Sequence, residues 1–427
     1  MTKKIYLILA VFVFTLTIFS GCGDKVDNSA SAENVAIKNK ENYFEVKINL
    51  AKNNSHLEIG KEYAKEILKA VPDYEEIVDS YLAEVIGSKN YYDDVLKRVK
   101  DIKPQIEKDY SDEITGMGSV FSGSTDNQLG DGKLSTDEIY IMNLLPDVLR
   151  LTQCSALGIY GKRSETNSSM MERALDWYAG AKNQLAKVQA VTYIENNSKS
   201  ICTIGFLGYI GVISGYNRNQ DFAAILDSST GGIYYSEGRR SYTMDLRYAL
   251  ENSDTIDKIA DYLKSDDRKY TFGHLIFLCD KNTVKVLENN VGSDPNSIRK
   301  IRDEKSELNE GINWGYDNAI GCVNAFELKG NLNNHSNIPE NVARWESMKN
   351  ELKSKGDKIS LDEFKEIASY HKGKYPGEQS DGDLYNVNTD QIIIYQPSED
   401  NLEIFFRPYS GKLPGRPDFK KVPVWIQ

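Results

Sequence analysis

Apolar residues recur every three or four positions through the first third of the chain. Ile59, Tyr63, Ile67 and Val71 form one series, and Tyr74, Ile77, Tyr81 and Val85 form a second, which is the spacing of a buried helix face. A third helix is predicted from Ser135, whose hydroxyl can cap the first turn while Glu138 reaches back. Its apolar positions are Ile141, Leu144, Leu145 and Val148. From Cys154 the pattern changes to short apolar runs that read as strands, at 155–160, 188–194, 201–206, 222–226, 275–279 and 284–287. Two more, 392–395 and 402–406, flank a polar turn at Pro397-Ser398-Glu399-Asp400. Helical spacing returns at 254–264, 339–353 and 361–370. Helices first, then strands with helices inserted, predict an α+β fold of mainly antiparallel sheets covered by helices.

The N-terminus carries a different signal. Lys3 and Lys4 precede an apolar run from Ile5 to Phe19 that ends in Ser20, Gly21 and Cys22, which reads as a secretion signal over residues 1–21. The run is shorter than the roughly 20 residues a spanning helix needs. An uncleaved anchor helix is the alternative, and both readings place the chain outside the cytoplasm. Ile18-Phe19-Ser20-Gly21-Cys22 resembles a bacterial lipobox. That resemblance implies cleavage before Cys22 and a lipid such as palmitate on its thiol, making the protein a membrane-anchored lipoprotein of the cell envelope. Residues 22–41 are polar and aperiodic, so a flexible tether is expected there, with folded structure starting near Asn42. No Pro/Gly/Ser-rich linker divides residues 42–427, which are expected to form one folded unit.

Charge and rare residues narrow the chemistry. A net charge of −11 and a pI near 5.1 argue against a nucleic-acid partner, because phosphate binding needs a basic patch. The four histidines, His56, His274, His335 and His371, are too scattered for a His-rich metal site. Cys202 and Cys279 sit in strand-like runs and read as small buried hydrophobes. Residues 127–138 carry the spacing of a calcium-binding loop in Asn127, Asp131, Gly132, Ser135 and Glu138. Leu129 stands where a ligand is needed, however, and the glycines between Gly116 and Gly123 argue against a preceding helix. No metal is expected, since a capping box explains Ser135 and Glu138.

The stretch that suggests catalysis is Gln153-Cys154-Ser155-Ala156-Leu157-Gly158, followed by Glu172-Arg173-Ala174-Leu175-Asp176. If the two form a hairpin turning near Glu165, Arg173 and Asp176 return beside Cys154. A guanidinium favours the thiolate, which is the nucleophilic form. No histidine stands nearby to take the proton. A free α-amine on Cys154 would serve as base, and Asp176 could hold it. The alternative is a buried thiol beside a surface ion pair.

Several segments, in order, resemble the Ntn-hydrolase superfamily, in the branch of acyl-coenzyme A:6-aminopenicillanic acid acyltransferase, choloylglycine hydrolases and lysosomal N-acylethanolamine and ceramide amidases. They are Glu113-Ile114-Thr115-Gly116-Met117-Gly118, Asp137 to Leu144, Arg173-Ala174-Leu175-Asp176 and Gly211-Val212-Ile213-Ser214-Gly215-Tyr216-Asn217. Cys322-Val323-Asn324-Ala325-Phe326 and Ala343-Arg344-Trp345 complete the series. The resemblance implies a four-layer αββα sandwich and self-cleavage between Gln153 and Cys154. It implies a helical α-chain over 42–153 and a β-chain over 154–427. It assigns Cys154 as nucleophile, Arg173 and Asp176 as its partners, Asn324 and the region of Asp227 as the oxyanion hole, and Arg344 as a second active-site arginine. Ala174 and Asp227 depart from the family, which has Asn at both positions. An ionised Asp cannot donate, so either the backbone N–H of Asp227 serves or its carboxyl stays protonated. The implied activity is cleavage of an amide bond in a small N-acyl substrate through a thioester, with no cofactor. Transfer of the acyl group to an amine and non-catalytic ligand binding are the alternatives.

Overall fold

Alternation of apolar and polar side chains begins before Asn42. Val35–Asn39 (β1) pairs antiparallel with Phe44–Asn49 (β2), and β2 buries Phe44, Val46 and Ile48. Ordered structure therefore starts seven residues earlier than the tether reading allowed, and the segment from 42 opens with a strand rather than a helix. The polar stretch around Lys40 and Glu41 is the turn of this hairpin. The computed structural model describes residues 34–51, 55–126, 128–149, 153–228, 234–291, 297–374, 376 and 380–426. The signal and lipidation expectations on residues 1–22 lie outside them, as does Asn127.

Six helices follow: His56–Ala70 (α1), Tyr74–Ile86 (α2), Lys89–Ile102 (α3), Lys108–Gly118 (α4), Thr136–Asn143 (α5) and Leu145–Val148 (α6). α1 and α4 cross closely because each presents a glycine to the other's backbone. A Cβ on Gly60 would lie 2.1 Å from Glu113 O, and one on Gly116 would lie 2.2 Å from Leu57 O. α4 occupies the place where the glycines argued against a helix, since Tyr110, Ile114 and Met117 give it a buried stripe. Both halves of the capping box at Ser135 and Glu138 are present, and Glu138 also accepts from Tyr92. Among the described residues no group of three or more His, Cys, Asp or Glu side chains could hold a metal ion. No helix among them is long and apolar enough to cross a membrane.

Gln153–Ile159 (β3) and Met170–Asp176 (β4) form the anticipated hairpin. Its register, Gln153 opposite Asp176 and Ile159 opposite Met170, centres the turn between Ser164 and Glu165. Next come Gln189–Glu195 (β5), Ile201–Phe206 (β6), Ser214–Asn217 (β7) and Phe222–Asp227 (β8), then helices Tyr242–Asn252 (α7) and Ile256–Leu263 (α8). The strands His274–Cys279 (β9), Val284–Asn289 (β10), Arg299–Arg302 (β11) and Ala319–Cys322 (β12) precede helices Pro339–Lys355 (α9) and Leu361–Ala368 (α10). Thr389–Gln396 (β13), Asn401–Phe406 (β14) and Lys420–Val422 (β15) close the chain.

The strands make two sheets, ordered β1-β2-β5-β6-β7-β8-β9-β10-β11 and β12-β3-β4-β13-β14-β15. Neighbours are antiparallel except β2 and β5, which run parallel. Period-two alternation divides the second sheet into two faces. Cys154, Ala156, Met171, Leu175, Ile393 and Tyr395 join the core shared with the first sheet. Leu157, Ile159, Met170, Ala174, Ile392 and Ile394 join a second core under Trp345 and Met348 of α9 and Phe364 of α10. The sheets touch closely at Gly158, where a Cβ would stand 2.6 Å from the methyls of Val284. With α7 and α8 packed on the other side of the first sheet, the layers run helix, sheet, sheet, helix. The fold is the expected α+β arrangement of two sheets covered by helices.

Candidate active site

Cys154 is the second residue of β3 and is 1 % exposed. Side chains engage three of its atoms. The backbone N–H donates to Asn324 Oδ1 at 2.8 Å, Arg344 donates to the backbone O at 2.7 Å, and Arg173 donates to Sγ at 3.3 Å. Strand register delivers Arg173 here: it sits opposite Ala156 on the same face as Cys154. Its second bond, 2.9 Å to Ile225 O, fixes the guanidinium between the two sheets, while Nε and the other amino group have no partner among the described residues.

Asn324 and Arg344 arrive from distant parts of the chain. β12 ends at Cys322, so Asn324 lies just beyond that strand. Its Nδ2 donates to Asp227 O at 2.7 Å, and its Oδ1 also accepts from Arg344 at 3.0 Å. Arg344 is fully buried near the start of α9 rather than solvated, and it donates to Asn341 Oδ1 at 2.9 Å. Asn341 in turn donates to Asn324 O at 3.1 Å, closing a ring of bonds. Sequence reasoning missed Asn341; its one signal was a position three residues before Arg344, on the same helix face.

Two expected partners are placed differently. Asp176 is opposite Gln153, on the other face of the sheet from the sulfur. Its oxygens accept from Thr389 at 2.7 Å and Asn386 at 2.8 Å, so in the continuous chain it does not hold the Cys154 nitrogen. Asp227 brings its carbonyl to Asn324, while its carboxyl points to Tyr242 of α7, with Oδ1 3.0 Å from the hydroxyl. The other described cysteines, Cys202, Cys279 and Cys322, are buried and unbridged.

Electrostatics hold the sulfur in check. Burial pushes the Cys154 thiol up to about 11, with Arg173 working against that shift. Burial likewise raises Asp176 and lowers Arg344, each opposed by the charge of the other. The uncut chain therefore holds a protonated, buried thiol beside the Arg173 guanidinium.

Two cavities share Trp177, and the second of them reaches the cluster at Arg344. One, about 40 Å³, is walled by Ile77, Tyr81, Leu145, Phe206 and Ile213, from segments on both sides of Cys154. The other, about 350 Å³, is polar and opens at Gln153, Asp176 and Arg344.

No family model matches the chain, and no curated protein does. Solved structures do. It is 16 % identical to a Caenorhabditis elegans N-acylethanolamine-hydrolyzing acid amidase, over 57 % of this chain and 93 % of that one, with a TM-score of 0.41. A variant of the conjugated bile acid hydrolase of Clostridium perfringens is 12 % identical over 63 % and 97 % of the two chains, with a TM-score of 0.35. The penicillin V acylase of Agrobacterium tumefaciens is 12 % identical over 59 % and 83 %, with a TM-score of 0.36. These are the kinds of amidase that the sequence motifs resemble. At TM-scores below 0.5 they stand as likenesses, and the functional reading rests on the site itself.

Proposed function

We propose that the protein is an amide hydrolase of the N-terminal-nucleophile type, cut between Gln153 and Cys154. The observation that carries this reading is the engagement of N, Sγ and O of one buried cysteine by Asn324, Arg173 and Arg344. A structural thiol needs no such arrangement. Cutting turns the Cys154 nitrogen into an α-amine, whose pKa of about 7.7–8.0 suits it to take the thiol proton. Sulfur attacks the amide carbonyl, the Asn324 amide stabilises the oxyanion, and the amine leaves with a proton. Water then resolves the thioester. Arg173 favours the thiolate throughout. The lipobox-like Ile18-Phe19-Ser20-Gly21-Cys22 supports attachment to a membrane outside the cytoplasm.

Intact mass spectrometry with N-terminal sequencing of the purified protein tests the reading. Two chains, one starting at Cys154, and an acyl adduct on that chain after mixing with an N-acyl substrate are expected. A single uncut chain that turns over no amide would overturn it.

A further inference from the structure

The ladder between β12 and β3 ends at the pair of Cys322 with Ala156. Asn324, whose side-chain oxygen meets the Cys154 nitrogen, follows just beyond it. Past the end of a ladder the chain must be held by other bonds. Here they come from a buried ion pair on the first sheet, Glu288 of β10 and Arg302 of β11, whose side chains are 0 % and 2 % exposed.

The pair grips the chain on both sides of Asn324. Before it, Arg302 Nη2 donates to Gly321 O at 2.9 Å, while Nε donates to Glu288 Oε1 at 3.1 Å. After it, the Glu288 carboxylate accepts from the backbone N–H of Glu327 at 2.8 Å and from that of Leu328 at 3.0 and 3.1 Å. Asn331 Nδ2 donates to the same carboxylate at 3.0 Å. Both partners are needed for this geometry. A guanidinium fork faces a carboxylate and a carbonyl at once, whereas an ammonium is a single point of charge. An ionised carboxylate accepts at both oxygens, whereas a glutamine amide would turn an NH₂ group towards one of these N–H donors.

We propose that the Glu288–Arg302 pair is a positioning element that sets Asn324 against the Cys154 nitrogen, by fixing Gly321 on one side of it and Glu327 and Leu328 on the other. A buried ion pair adds little net stability over apolar side chains of the same volume, so a geometric duty accounts for charge at this depth. If the chain is cut before Cys154, the same Asn324 oxygen would hold the new α-amine, the base of the proposed reaction. That consequence rests on the amidase reading; the placement of Asn324 by the pair does not.

Amide hydrogen exchange in the Cys154→Ala chain, followed residue by residue by NMR, tests the placement without any turnover. Glu288→Gln should speed exchange at Glu327 and Leu328 and, with them, at position 154, each by about tenfold, the scale of one hydrogen bond. Ile393 and Ile394 of β13 should keep their rates. Faster exchange at 327 and 328 with position 154 unchanged would overturn the proposal. Faster exchange throughout, β13 included, would also overturn it, since that marks a loosened fold. Arg302→Lys keeps the charge and should also speed exchange at position 154, which decides the matter if the glutamine variant does not fold. In the cut enzyme Glu288→Gln should lower kcat about 10- to 100-fold with KM little changed, the scale of a small misplacement at the reacting centre. An unchanged kcat would sink the positioning role. If the wild type hydrolyses no amide at all, the amidase reading fails, and the exchange result still decides what places Asn324.

Discussion

Cys154→Ala should remain one uncut chain with no amidase turnover, at a cost in stability of no more than about 1 kcal/mol. Two of the three contacts around Cys154 use its backbone N and O, which alanine keeps. Only the sulfur is lost, and Arg173 retains its bond to Ile225 O. Complete loss of function with near-native melting would therefore separate chemistry from folding. Cys154→Ser keeps a nucleophile of much lower acidity and should be cut slowly. Intact mass after timed incubation checks both, and a cut alanine variant would remove Cys154 from the processing step.

Glu113→Gln is expected to cost about 3–5 kcal/mol, the range for breaking a buried ion pair from one side. Glu113 of α4 takes two bonds from Arg247 of α7, at 2.6 and 3.0 Å, and one at 2.6 Å with His56 at the start of α1. Arg247 is 1 % exposed at its side chain, and without Glu113 its buried charge would keep Glu251, 2.9 Å from Nε, as its one ionic partner among the described residues. Denaturant midpoints at neutral pH measure the effect, and a change under 1 kcal/mol would show that solvent reaches the pair. The pH dependence has two limbs. Although burial acts to raise it, Arg247 and His56 hold Glu113 below the usual carboxylate range. Its contribution is present above that range and is lost as pH falls through the folded value. His56 is raised, chiefly by its bond to Glu113. Its contribution is complete below the ordinary imidazole value and is lost as pH climbs through the folded one. The wild-type advantage over Glu113→Gln should thus peak between the two.

Local chemistry made part of this legible in the sequence. The β3–β4 turn could be placed at Glu165 because a polar run separates two apolar ones, and that register alone put Arg173 beside Cys154. Ser135 and Glu138 announced a helix start by a local bond pattern. What could not be read depends on tertiary packing. β1 and β2 are short and half-polar; β2 is held against β5, and β1 against β2. α7 buries Tyr242, Met244, Leu246, Ala249 and Leu250 with little polar face, so periodicity does not mark it. Asn341 and Arg344 meet Cys154 only because α9 docks on the sheet. The direction of the Asp227 carboxyl was set by Tyr242, fifteen residues later in the chain.

The parallel pairing of β2 with β5, from Phe44 opposite Ala190 to Asn49 opposite Glu195, changes meaning if the chain is cut before Cys154. A strand of the first piece would then lie inside a sheet built mostly by the second, bonded to both. The pieces could part only by opening that sheet. Once denatured they would have to meet by diffusion, so a reaction that was first order for the intact chain would become second order for its products. Such a molecule would keep in its strand order the memory of a covalent link it no longer has, durable while folded yet unable to be rebuilt at the speed at which it was first made.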